Sequence, residues 1–262
     1  MNRLLAADFY CLRKSKLSWV MLIIATVMPI GTVLLYVGLR FLAEQTNDGS
    51  FNALNAMFTT RGILSSAFSL TNNIGIIFPI FAGIIIGSDM TNGTLRNKVI
   101  IGHSKAKIYF SHLIVCVIFG VVTILLSAIV TILFSLIFFQ YGVDFNGAEI
   151  KNLVYFFVTG LLAYVFVSSV VNAFALIFKT PAPTILISIL VGMGFGLIAS
   201  LIAMIDYSSF KYLVYLIPTF ANTQFVGGIE DVVFIEGSIS LVVFSIAFIF
   251  LGLGLFTKKD IK

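Results

Sequence analysis

Hydrophobic and polar positions along this chain do not alternate; they segregate into long blocks. Six stretches contain no Asp, Glu, Lys or Arg: 17–39, 62–88, 108–143, 152–178, 180–205 and 237–257. They measure 23, 27, 36, 27, 26 and 21 residues. Each reaches the ~20 residues that an α-helix needs to cross a ~30 Å hydrocarbon core. Strands of a membrane barrel would point in and out with a two-residue period over about ten residues. These continuous runs of Leu, Ile, Val and Phe show no such period. Backbone polar groups in lipid must be bonded within their own segment. The pattern therefore predicts an all-α membrane protein. A single transmembrane domain over 1–262 carries six transmembrane helices, near 17–41, 63–87, 108–139, 152–178, 182–205 and 237–257.

The intervals between the blocks predict three further elements. Residues 1–16 read as an amphipathic N-terminal interfacial helix: Leu4, Leu5, Phe9 and Leu12 recur at helical spacing, and Arg3, Arg13, Lys14 and Lys16 suit lipid head groups. At 23 residues the first apolar run is too long for the core of a secretory signal, so it stays as span one. Between spans two and three, Thr94 is placed to cap a short helix that runs toward Ile101 and stops at Gly102, and Ser104 to start the next helix. Between spans five and six, Tyr212–Ile217 is apolar but too short to cross, and Pro218 and Gly227-Gly228 follow it. That predicts a partly re-entrant outer loop, with an ordinary structured loop as the alternative.

Charge supplies direction. The N-terminus, the second-third and fourth-fifth connections and the C-terminus share one side, with 12 Lys/Arg and three acids; the other side has four Lys/Arg and eight acids. Cytoplasmic segments of membrane proteins carry the Lys/Arg excess, so a multi-pass protein of the bacterial cell membrane with both termini cytoplasmic is expected. The net charge of +5 then reflects topology and attraction to membrane lipid, not nucleic acid. Hydrophobic residues make up 60% and charged residues 10% of the chain. No polar interval exceeds 31 residues, below the ~40 at which an unaided soluble core becomes plausible. Chemistry that needs a soluble catalytic domain must come from another chain.

Catalytic and ion-coupling constellations are missing. There is no G-x-x-x-x-G-K-[ST], H-E-x-x-H or C-x-x-C, so no catalytic and no metal-ligating residue is assigned. Cys11 and Cys116 form no disulfide framework. The uncharged spans disfavour an ion-coupled carrier. His112, near the start of span three, reads as an interfacial or packing histidine. Polar residues inside spans, including Ser65, Ser66, Ser69, Thr71, Asn72 and Asn73 of span two and Ser168, Ser169 and Asn172 of span four, suit either a translocation path or interhelical hydrogen bonds.

The specific segment lies between spans two and three. It reads Asp89-x-x-x-Gly93-Thr94-Leu95-Arg96, then Gly102-x-Ser104-Lys105-x-x-Ile108-Tyr109. This pattern resembles the corresponding stretch in permease subunits of type-2 ATP-binding-cassette (ABC) exporters, in particular the bacterial peptide-antibiotic immunity and multidrug branch. Glutamate is common where this chain has Asp89, and arginine where it has Lys105; both departures keep the charge. The resemblance implies that Asn92–His103 is a cytoplasmic coupling helix, with the motif residues and Lys98 engaging an ATP-binding subunit. It also implies a second permease subunit, with Gly192 and Gly196 of span five at the seam. This chain would bind no cofactor, ATP and Mg residing on the partner ATPase. The function implied is export of an amphipathic or hydrophobic substrate, such as a peptide toxin, lantibiotic-like antibiotic or drug, by alternating access. A non-transporting scaffold or sensor partner would share the spans but need no ATPase contact.

Overall fold

The computed structural model describes residues 2–46, 58–68, 74–178, 180–204, 217–218 and 225–258. Among them all regular structure is helical, in the order α1 (Asn2–Lys14), α2 (Lys16–Thr46), α3 (Thr60–Ala67), α4 (Ile74–Thr91), α5 (Thr94–Ile100), α6 (Lys105–Phe138), α7 (Gly147–Phe178), α8 (Pro181–Met204), a 3-10 turn (Phe225–Gly227) and α9 (Asp231–Lys258). Five of these, α2 and α6 to α9, are long and apolar enough to cross a membrane; the count reaches six if α4 and α5, bent by 51° at their junction, are taken as one broken span. α1 is the expected leader helix. It joins α2 through Ser15 alone, whose amide is held by the carbonyls of Cys11 and Leu12.

Several helices run past the ends of the charge-free runs. α7 begins at Gly147 and takes in Glu149 and Lys151; α9 begins at Asp231 and takes in Glu236. Asn146 explains the first extension, because its side chain accepts from the Glu149 amide at 2.9 Å and closes a first-turn donor. The helix expected over 63–87 is described as two pieces, α3 and α4. Ser69, Asn72 and Asn73 lie outside the described residues, as do Tyr212 to Leu216 of the expected re-entrant stretch.

α7 is the axis of the bundle. Its most apolar window is 67% buried, against 11% for α8, and α9, α6, α4 and α8 all pack on it. Phe156 stacks on Phe225 at 3.9 Å and meets Phe68 edge-on at 4.8 Å, while Phe166 touches the rings of Phe195, Phe244 and Phe248. Gly252 lets α9 approach α7 closely: a methyl group there would sit 2.8 Å from the Ala173 Cα. With α6 about 50 Å long, the bundle has two well-separated ends. The proximal end carries α1, α5 and the start of α6; the distal end carries α3, the start of α7 and the 3-10 turn.

Candidate functional site

The motif folds into a bent link with two faces. Gly93 caps α5 in the left-handed region (φ 71°), with no side-chain cap. The cap is therefore Gly93 and not Thr94, which is the first helical residue. Only glycine adopts that backbone without strain. Gly102, also left-handed (φ 96°), ends the link: its amide reaches the Val99 carbonyl, and the His103 amide reaches that of Lys98. Ser104 caps α6 as expected, accepting from the Lys107 amide. Lys105 donates to the Thr257 carbonyl at 3.0 Å and ties the start of α6 to the end of α9.

On α5 the inward face carries Leu95, Lys98 and Val99. The outward face carries exposed Arg96 and Asn97, continued by Ile100 and Ile101, which are 70% and 75% exposed. Lys98 is the pivot. Its ammonium donates to Asp8 Oδ1 of α1 at 2.6 Å and stands 3.1 Å from His112 Nε2 of α6. An ammonium has no lone pair, so Nε2 is the acceptor. Ser111 Oγ donates to the other Asp8 oxygen. Asp89, in the last turn of α4, has its Oδ2 at 3.8 Å from both Lys98 Nζ and His112 Nε2, beyond hydrogen-bond reach. Four helices thus meet through five polar side chains. Asp8 and Lys98 are both largely buried (5% and 11% side-chain exposure), and a buried charge of this kind is tolerable only when paired.

A cavity of about 130 Å³ opens beside the cluster. Asp8, Asp89 and His112 form its polar side; Ala82, Ile86 and Phe119 are among its apolar walls.

A second polar cluster closes the distal end. Arg61 Nε lies 3.3 Å from Glu149 Oε1, and its Nη2 donates to the Phe225 carbonyl at 3.0 Å. Tyr141 donates to the same Glu149 oxygen at 2.7 Å. Asn152 accepts from the Ile229 amide at 2.8 Å and donates to the Phe225 carbonyl.

Of the other residues singled out by sequence, Ser168 and Asn172 lie fully buried in α7. Asn172 donates to the carbonyl of Tyr109, the last motif residue. Gly192 sits in α8 where a methyl group would meet nothing within 4 Å, and Gly196 lies one turn on. Sequence reading missed Asp8, Ser111 and the distal Arg61–Glu149 pair. For Asp8 a signal existed: it is the only acid of the leader, at i+4 from Leu4 and i−4 from Leu12, inside the apolar stripe.

The arrangement ties a leader helix, a bent link and three spans together through polar contacts. A family model described as ABC-2 family transporter protein matches residues 4–196, from α1 to α8. The chain belongs to this family. It is a multi-pass membrane component of an ABC-2 transporter; such membrane subunits lack an ATPase domain and generally pair with ATP-binding subunits. Comparison with curated proteins gives no match.

Proposed function

We propose that this chain is the permease subunit of an exporter, moving an amphipathic or hydrophobic substrate such as a peptide toxin, lantibiotic-like antibiotic or drug out of the cytoplasm or the inner leaflet. An ATPase partner, carrying ATP and Mg, docks on the proximal end. The observation that carries this reading is the two-faced α5. Outward, Ile100 and Ile101 are large apolar side chains held away from the bundle beside Arg96, which suits a partner's cleft. Inward, Lys98 binds the leader helix and α6 directly. A push on α5 is thereby passed to α1, α4 and α6 together. Nucleotide and substrate drive transport by each favouring a different state of this joint.

The Lys/Arg excess puts the proximal end in the cytoplasm, with both termini. A second permease subunit is assigned to the face of α8, where Gly192 leaves room for close helix approach and Leu190, Met193 and Leu197 are exposed. Co-expression with the ATP-binding subunit from the same gene cluster tests the reading. The wild-type complex should co-purify and hydrolyse ATP faster with substrate. Ile100→Asp with Ile101→Asp should abolish co-purification while membrane insertion is unchanged, and Gly93→Ala with Arg96→Ala should weaken it. Undiminished association of the Asp double variant would overturn the docking assignment.

A further inference from the structure

The cavity beside the proximal cluster has the chemistry of a binding site. Its mouth is marked by exposed Cys11 and half-buried Ser15, its depth by buried Ala82, Ile86 and Cys116. At about 130 Å³ it is smaller than the ~300 Å³ at which drug-sized pockets begin. It holds a head group and a few methylenes, and the rest of a ligand must lie outside, along α1.

Charge selects the head group. The charged or imidazole groups in the wall of this volume are Asp8 of α1, Asp89 of α4 and His112 of α6, and Lys98 of α5 stands behind them, against Asp8 and His112. Lys98 is consumed by Asp8 at 2.6 Å and by His112 at 3.1 Å. Two carboxylates thus face one ammonium, and Asp89 is the carboxylate left outside hydrogen-bond reach, on the cavity wall. An acid so placed among Ile85, Ile86, Val115 and Phe119 gains more from a bound cation than it would in water, because the apolar surround weakens screening.

We propose that this cavity binds the ammonium end of an amphiphile arriving from the inner leaflet, with the cation on Asp89 and the first methylenes against Ile86 and Phe119. The proposal rests on the export reading, for which it supplies a substrate class and a loading point. It also places occupancy next to Lys98, so a bound cation competes for the carboxylates that hold α5 to α1 and α4.

The test needs neither ATPase nor transport, so its failure and that of the permease reading are separable. The full chain is placed in bilayers of phosphatidylglycerol, which carries no ammonium, and alkylation of Cys11 by a maleimide is followed; Cys116 is replaced by Ala. n-Decylammonium should slow alkylation at least five-fold at saturation, and n-decanol, of equal chain length, should not. Asp89→Asn should lose the protection. Ala82→Leu, which fills the cavity and keeps every charge, should lose it as well, so the proposal does not depend on Asp89→Asn folding. Adding phosphatidylethanolamine separates the sources: protection without decylammonium makes the lipid ammonium the occupant, and its absence makes the occupant a free amphiphile. Equal protection by decanol, or protection that survives in either folded variant, would overturn the proposal.

Discussion

Two buried carboxylate–cation knots hold this bundle, one at each end, and they are finished differently. At the distal end the charges are held tightly, although the buried Arg61 Nε makes no hydrogen bond. Glu149 takes Arg61 and Tyr141 on one oxygen, Arg61 also donates to the Phe225 carbonyl, and its guanidinium lies 5.3 Å from the Phe225 ring centroid. Backbone bonds from Thr60 and Arg61 to the carbonyls of Gln140 and Tyr141 add a main-chain strap. At the proximal end Asp89 stands 3.8 Å from the Lys98 ammonium, its nearest cation, and a cavity adjoins the Asp8–Lys98 pair. A knot braced by a main-chain strap and a stacked ring has one arrangement. One beside free volume can exchange partners, which the proposed transmission of motion requires. In the proposed mechanism the distal knot is the anchor and the proximal knot the hinge pin.

The largest expected effect is at the anchor. Arg61→Met strands the buried Glu149 carboxylate and should cost about 3–5 kcal/mol, read by thermal unfolding of the purified chain. Adding Glu149→Gln should recover part of the loss, since the stranded charge is then gone. Lys98→Met strands Asp8 in the same way but beside a cavity that admits water, so the cost should be about 1–3 kcal/mol. Its main deficit should appear as lost substrate stimulation of ATP hydrolysis in the assembled complex. If Lys98→Met costs as much stability as Arg61→Met, the two knots do not differ as described.

Tyr141 sharpens the anchor further. Tyr141→Phe removes one donor from Glu149 and should cost about 1 kcal/mol. Burial, and then the hydrogen bond and charge of Glu149, push the Tyr141 phenol above its usual range. With the folded value raised above the unfolded one of about 10, the native state keeps its proton longer than the unfolded chain. That contribution is complete below about pH 10 and is lost as the pH climbs toward the folded value. The stability gap between wild type and Tyr141→Phe should therefore narrow only above about pH 10; a gap that already closes near pH 7 would mean that Tyr141 does not act through its proton.

Both knots were poorly legible in the sequence, although the spans around them were not. Runs without charge locate helices because lipid penalises charge at every position of a span, so length alone suffices. Turn chemistry was also legible where one residue type is required: Gly102 and Ser104 stop and start helices where expected, while at Gly93 the left-handed backbone displaced Thr94 from the cap. A buried ion pair leaves no such trace, because its partners are far apart in the chain and each looks like a loop charge. Arg61 borders one charge-free run and Glu149 lies in the short interval before another, so nothing in the sequence joins them; Asp8 and Lys98 stand 90 positions apart, and Lys98 was expected to engage an ATP-binding subunit rather than α1. Only the register of Asp8 within the Leu4–Leu12 stripe hinted that it faces inward.

The smallest expected effect decides whether burial or mere charge pairing underlies the contrast. Lys151 and Asp231 pair at 2.7 Å at the distal end, as short as the buried pairs, yet their side chains are 52% and 61% exposed. Water and salt screen such a pair, and ordering two free side chains offsets most of its attraction. Lys151→Met should leave the unfolding midpoint within experimental error of wild type, at low and at high salt alike. If instead it destabilised the chain as Arg61→Met does, proximity of opposite charges at the distal end would be sufficient, and the distinction between a strapped buried knot and one beside a cavity would lose its physical basis.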